Sequence, residues 1–204
     1  RGRILELWGQ EGVGKTYTVS RILASASKDH KILFIDSEFA LNRQRVEALG
    51  ADTKNIDFIQ DARLERVAEL MIDSVGKYDL IILDSLAQLT PTTVADATVG
   101  ENAIGLFARQ VKHFVVKFRP RLGASQTACI VINQYRKPFG LYARAEPPGG
   151  ASYHHAVDVR LHLTRNSADL ITKAGVTTGH WLHVEVKKSK VSPPYLTSKY
   201  KVEY

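Results

Sequence analysis

The sequence predicts an α/β fold: a mostly parallel central sheet, helices on both faces, and antiparallel strands added at the C-terminal edge. Three observations carry this expectation. Unbroken Ile, Val and Leu runs alternate with amphipathic helical stretches through the first two thirds of the chain. Strands buried on both faces read this way, because crossover helices cover the sheet from either side. A Gly-rich segment, residues 9–16, separates the first apolar run from the first helical stretch. The last third turns to period-two, β-rich composition.

Taken in order, residues 4–8 (ILELW) predict a strand and 16–26 a helix. KILFI (31–35) is a second buried strand, followed by a short helix over 41–49. Residues 56–60 predict a strand, 64–75 a helix and YDLIIL (78–83) a strand. The spacing of Ile104, Phe107, Val111 and Val115 predicts a helix over 102–118, and TACIVI (127–132) returns to strand. Residues 157–163, 180–187 and 198–204 are expected to be antiparallel strands, with Gly175 and Gly179 as turn signals. Residues 90–101 and 135–152 fit no element. Irregular stretches of that length in a compact domain tend to carry function.

At 204 residues the chain suits one well-buried domain. Its formal net charge of +7 favours an anionic partner, although charge alone does not identify one. The single cysteine, Cys129, sits in an apolar run and excludes a disulfide framework within the chain. No apolar stretch approaches the roughly 18 residues a membrane span needs. A reducing, cytoplasmic or nuclear setting is therefore expected.

Gly9-Gln10-Glu11-Gly12-Val13-Gly14-Lys15-Thr16 fits G-x-x-x-x-G-K-[ST] between a strand and a helix. Glycines let backbone N–H groups turn inward around phosphate oxygens, and the following helix adds its dipole. Lys15 is expected at the β- and γ-phosphates of a nucleoside triphosphate, and the Thr16 hydroxyl on Mg²⁺. Asp84 ends a buried strand, where a carboxylate serving the metal belongs. Asp36-Ser37-Glu38 ends another strand. Glu38 is the better candidate to orient and deprotonate a water, and Asp36 is expected to bind loop amides. Asn133-Gln134 ends a third strand, where a neutral amide can sense a γ-phosphate and switch the following loop. On its own, Lys188-Ser189-Lys190 reads as a solvated basic turn.

Together these segments resemble the catalytic core of the RecA/RadA strand-exchange ATPases, the bacterial and phage RecA branch above all. GRILELWGQEGVGKT, FIDSEFAL, LIILDSLAQLTP, VINQYR, GGASYHHAVDVRLHL and VKKSKVSPP agree with the family's motifs in order and spacing across nearly the whole chain. The resemblance implies ATP and Mg²⁺ bound at Gly9 to Tyr17, with Asn42 and Arg45 near the adenine and Thr16 and Asp84 at the metal. It implies Glu38 and Lys15 as catalytic groups and Gln134 as the γ-phosphate sensor. Lys188 and Lys190 become groups that act on a neighbouring subunit's ATP. Residues 92–104 and 135–151 become two DNA-binding loops, with Ile104, Arg109, Arg136, Gly149 and Gly150 at the DNA.

The implied protein is a DNA-dependent ATPase. It forms helical filaments on single-stranded DNA, pairs it with double-stranded DNA, and serves recombination and repair in a bacterial or phage-infected cytoplasm, with no role for a membrane. Two other readings of the same motifs are a hexameric helicase-type motor and an ATP-binding recombination mediator without strand exchange. Residues 1–204 are expected to be one ATPase core, without the family's N-terminal polymerisation segment and C-terminal domain. The chain departs from the family pattern in five places, one of them a second loop slightly shorter than usual. Arg45 replaces the adenine-stacking tyrosine, Asn42 replaces an aspartate, Tyr17 replaces a second threonine, and His154-His155 stand where lysine and an aromatic residue are usual.

Overall fold

Five apolar runs build the centre of the sheet. The structure, a computed structural model, describes residues 1–95, 105–135 and 146–204. Strands Ile4–Gly9 (β1), Ile32–Asp36 (β2), Ile56–Gln60 (β3), Leu80–Asp84 (β4) and Ala128–Gln134 (β5) lie parallel in the order β3-β2-β4-β5-β1. β2 and β4 are buried along their whole length, as their unbroken apolar composition requires.

Alternate residues face opposite ways, so the sheet carries two cores. Leu33, Ile35, Ile81, Leu83 and Val131 pack on one side with Leu64–Ser74 (α3), Leu106–Gly123 (α5) and Gly150–Ala156 (α6). Phe34, Ile82, Ile130 and Ile132 pack on the other with Lys15–Ala26 (α1) and Arg43–Ala48 (α2). Thr92–Ala95 (α4) is a single turn. Cys129 lies in the first core, as expected, and burial pushes its thiol well above the ordinary range.

Among the strands, three features differ from expectation. Val159–Thr164 (β6) is parallel to β1, with Leu5 opposite Val159 and Gly9 opposite Leu163. The reversal comes one strand later, where Val176–Ser189 (β8) runs antiparallel to β6. β8 also pairs antiparallel with Leu170–Lys173 (β7) and Thr197–Glu203 (β9). β7 is too short to show a pattern, and Leu170 is exposed. Its hairpin turns on Ala174 and Gly175, both at positive φ. Gly179 is no turn residue: it lies inside β8, where a Cβ would come 2.2 Å from the Val202 carbonyl oxygen.

α5 runs past Phe118 and through Pro120 to Gly123, because a proline in the closing turn removes only one backbone bond. Its expected beginning, including Ile104, lies outside the described residues. α6 begins in what reads as loop, since paired glycines mask a short helix. Among the described residues no helix is long and apolar enough to cross a membrane.

Candidate functional site

Strand register gathers the polar residues that end the apolar runs. Asp36 lies opposite Asp84 between β2 and β4, and Gly9 opposite Gln134 between β1 and β5. All four stand at the carboxyl edge of a parallel sheet, where α/β folds bind ligands.

The loop from β1 to α1 leaves that edge. Gly12 and Gly14 have φ of 69° and 108°, a region that residues with a Cβ rarely enter. At Gly9 a Cβ would meet the Leu163 carbonyl oxygen at 2.3 Å. Gln10 and Glu11 are exposed at the loop's crest, while the Val13 side chain is buried in the second core and anchors the loop. Lys15 is 5% exposed, and its Nζ donates to the Gly9 and Gln10 carbonyls at 3.2 and 2.9 Å. Burial lowers its pKa, against the opposing pull of Glu38 and Asp84. A cation held only by carbonyls and beside carboxylates is poised to exchange those carbonyls for an anion.

Thr16 Oγ1 donates to Asp84 Oδ2 at 2.8 Å, while Asp84 Oδ1 is buried with no hydrogen-bond partner. Burial, followed by the charge of Glu38, raises the Asp84 carboxyl to about 7. A buried carboxylate with an orphaned oxygen beside a hydroxyl is a hard-oxygen donor pair, and it fits Mg²⁺ completed by phosphate and water. Among the described residues no cluster of His, Cys, Asp and Glu forms an all-protein metal cage.

Glu38, half-buried, stands over the same edge. Its Oε1 accepts from Ser85 Oγ at 2.7 Å and from Gln134 Nε2 at 2.5 Å. The structure thus joins two residues 96 apart in sequence, at the point where β5 leads into residues 136–145. Asp36 accepts from the amides of Glu38, Ala40 and Leu41 and from Gln60 Nε2, the loop-binding role expected of it. Asn42 caps α2 through the Arg45 amide at 3.0 Å, and the exposed Arg45 guanidinium lies 6.0 Å from the half-buried Tyr17 ring.

The lysine pair stands elsewhere. Register sets Lys188 beside Arg160, at the end of β6 remote from Gly9. Lys188 Nζ donates to the His154 and His155 carbonyls at 2.6 and 3.1 Å, and Lys190 Nζ to that of His155 at 3.1 Å. The two cations therefore close the C-terminus of α6, where the helix dipole favours them. Neither reaches this chain's own phosphate loop.

α6 begins at Gly149 and Gly150, with φ of 129° and 75°. A Cβ on Gly150 would touch Ala108 at 3.2 Å, so Gly150 abuts the turn of α5 that carries the exposed Arg109. Ile104 and Arg136 lie outside the described residues.

Sequence reasoning missed the polar core behind the site. Glu6, fully buried, accepts from Arg160 Nε at 2.5 Å and from Asn133 Nδ2 at 2.9 Å. Asn133 Nδ2 also donates to the Pro148 carbonyl at 2.8 Å, tying β5 to the residues before α6. The available signal was Glu6 itself, a charge inside an apolar strand. His180 beneath the phosphate loop was missed as well.

A family model described as the RecA N-terminal domain matches residues 1–204. Protein RecA of Rubrobacter xylanophilus is 34% identical over 210 residues, covering 100% of this chain and 60% of the relative. Protein RecA of Clostridium acetobutylicum is 33% identical, with 100% of this chain and 59% of the relative covered. For Protein RecA of Acholeplasma laidlawii the identity is 35%, with 100% and 62% covered. The chain thus spans about 60% of the length of these relatives. The parallel sheet, the glycine loop at its carboxyl edge and a match from first residue to last agree: this chain belongs to the RecA family.

Proposed function

We propose that residues 1–204 are the ATPase core of a recombinase that binds single-stranded DNA, assembles into filaments with ATP between subunits, and promotes homologous pairing and strand exchange in recombination and repair. The relatives are named RecA, and the cytoplasm of a bacterial or phage-infected cell is the matching location. The observation that carries the reading is the Glu38–Gln134 contact, because it couples a water-activating carboxylate to the strand that leads into a DNA-binding loop.

In this reading Lys15 leaves the Gly9 and Gln10 carbonyls for the β- and γ-phosphates, and the backbone from Gly9 to Tyr17 wraps the phosphate chain. Thr16 and Asp84 would hold Mg²⁺, which would supply positive charge against the negative charge of the phosphates. Glu38 takes a proton from the attacking water, and Gln134 exchanges Glu38 for the γ-phosphate. That exchange moves the start of the loop after β5, so nucleotide state reaches the DNA. Arg45 stacks on adenine through its guanidinium, with Asn42 beside it. Ile104, Arg109, Arg136, Gly149 and Gly150 contact DNA largely through phosphates, without reading sequence. Lys188 and Lys190 serve the ATP of the next subunit.

The test is the ATPase rate of the full-length protein with and without single-stranded DNA, followed by electron microscopy. Stimulated hydrolysis with helical filaments is expected. Closed hexameric rings favour a helicase-type motor, and a DNA-insensitive monomer favours a mediator.

A further inference from the structure

His180 is 1% exposed in β8, opposite Leu170 of β7 and Val202 of β9. Three strands therefore fix its backbone. Its Nε2 lies 3.0 Å from the Val13 carbonyl oxygen, and its Nδ1 lies 2.9 Å from the Tyr204 hydroxyl. A carbonyl only accepts, so Nε2 carries a proton and donates to it; the Tyr204 hydroxyl can donate or accept and leaves that choice to the Val13 carbonyl.

The bond has a directional consequence. In a planar trans peptide the C=O and the next N–H point opposite ways. Turning the Val13 carbonyl toward the β8–β9 hairpin aims the Gly14 N–H away from that hairpin. The hairpin also meets the loop directly, since a Cβ on Gly14 would lie 3.3 Å from Val202 Cγ2 and 3.7 Å from His180 Nε2. A hydrogen bond between Thr18 and Tyr200 ties α1 to β9 just beyond.

We infer that His180 is a positioning residue for the phosphate loop: it holds the Val13–Gly14 peptide so that the Gly14 N–H faces the nucleotide phosphates. The role rests on the nucleotide-binding reading above, and it differs from simple space-filling because it depends on one N–H donor at one reach. Glutamine offers such a donor and alanine offers none.

The experiment measures Mg·ADP affinity by calorimetry on the full chain and on the His180→Ala, His180→Gln and Lys15→Ala variants, with a thermal melt of each. His180→Ala is expected to weaken binding about tenfold, the consequence of one freed buried carbonyl, and His180→Gln to recover to within about threefold. Unchanged affinity in His180→Ala, or no recovery in a cooperatively melting His180→Gln, overturns the positioning role alone. Failure of the unmodified chain to bind Mg·ADP, or binding by Lys15→Ala equal to it, overturns the nucleotide reading and this role with it. Should the alanine variant not fold, ¹⁵N NMR of the unmodified chain decides. A His180 ring protonated at Nε2 alone supports the inference, and an Nδ1–H tautomer overturns it.

Discussion

Gln134 Nε2 donates to Glu38 Oε1 at 2.5 Å, so the amide that ends β5 and the carboxylate beyond β2 hold each other over the phosphate loop. Neither is free while this bond stands. A γ-phosphate that draws Gln134 away releases Glu38 Oε1, which Ser85 still steadies at 2.7 Å. On the proposed reading the arrangement would separate water activation from phosphate sensing, and substitutions should part the two.

Glu38→Gln keeps an oxygen able to accept from Gln134 and Ser85 but removes the base. Turnover is expected to fall at least about a hundredfold, within the range for loss of a general base. ATP-dependent DNA binding is expected to survive, because the phosphate loop and Gln134 remain. Steady-state hydrolysis beside an ATP-dependent DNA-binding titration checks both, and loss of DNA binding would rule out the water-activating role.

Asp84 makes the site pH-dependent. Its carboxyl is raised from 3.8 to about 7 by burial and then by Glu38, so between those values the folded chain keeps a proton that the unfolded chain has lost. Stability contributed by Asp84 is present below about 4 and is lost as pH rises through about 7. If Asp84 holds Mg²⁺ as proposed, that binding needs the ionised form and is expected to run the other way, strengthening over the same interval. Asp84→Asn is expected to flatten both slopes, as read by melting temperature without Mg²⁺ and by Mg·ADP affinity from pH 5 to 8. Parallel slopes in both proteins would assign the pH dependence to another group.

The Glu6–Arg160 pair is buried on the Glu6 side, with side-chain exposures of 0% and 15%. Arg160→Ala leaves a carboxylate in the core with Asn133 still donating to it. A loss of about 3–5 kcal/mol is expected, because an uncompensated buried charge outweighs the bond removed. In a chain of this size that lowers the melting temperature by roughly 6–20 °C. Glu6→Gln combined with Arg160→Met removes both charges and is expected to regain much of the loss. A melt of Arg160→Ala within two degrees of the unmodified chain contradicts this account.

The parts of this fold legible in the sequence are those where one local pattern serves one purpose. β2 and β4 are unbroken apolar runs because both their faces are covered, and the glycine spacing around Lys15 has few other uses. β6 was read with the wrong partner direction because period-two composition reports exposure on one face, not the sense of the neighbouring strand. α6 was hidden by Gly149 and Gly150, whose positive φ suits a turn as well as a helix start. Glu6, Arg160 and His180 were invisible for a different reason. Each takes its meaning from a residue more than a hundred positions away, and local spacing carries no trace of that.

Lys188 tests whether the site is complete within one chain. In the single chain its Nζ closes the C-terminus of α6 through the His154 and His155 carbonyls, at the end of β6 remote from Gly9. Burial, and next the neighbouring charge of Lys190, lowers its pKa, so the ammonium gains from a nearby anion. Alanine there costs the isolated chain a helix-end cation, about 0.3–1 kcal/mol of stability, and no contact with its own nucleotide. Hydrolysis by assembled protein is expected to drop at least tenfold, the scale of a charge-stabilising group supplied from a neighbour. Nucleotide affinity of the unassembled chain is expected to stay within about twofold, less than the loss of a single hydrogen bond. Hydrolysis followed across protein concentration separates the two regimes. A defect of equal size at both extremes would place the action of Lys188 within its own chain, contrary to the register of β6 and β8.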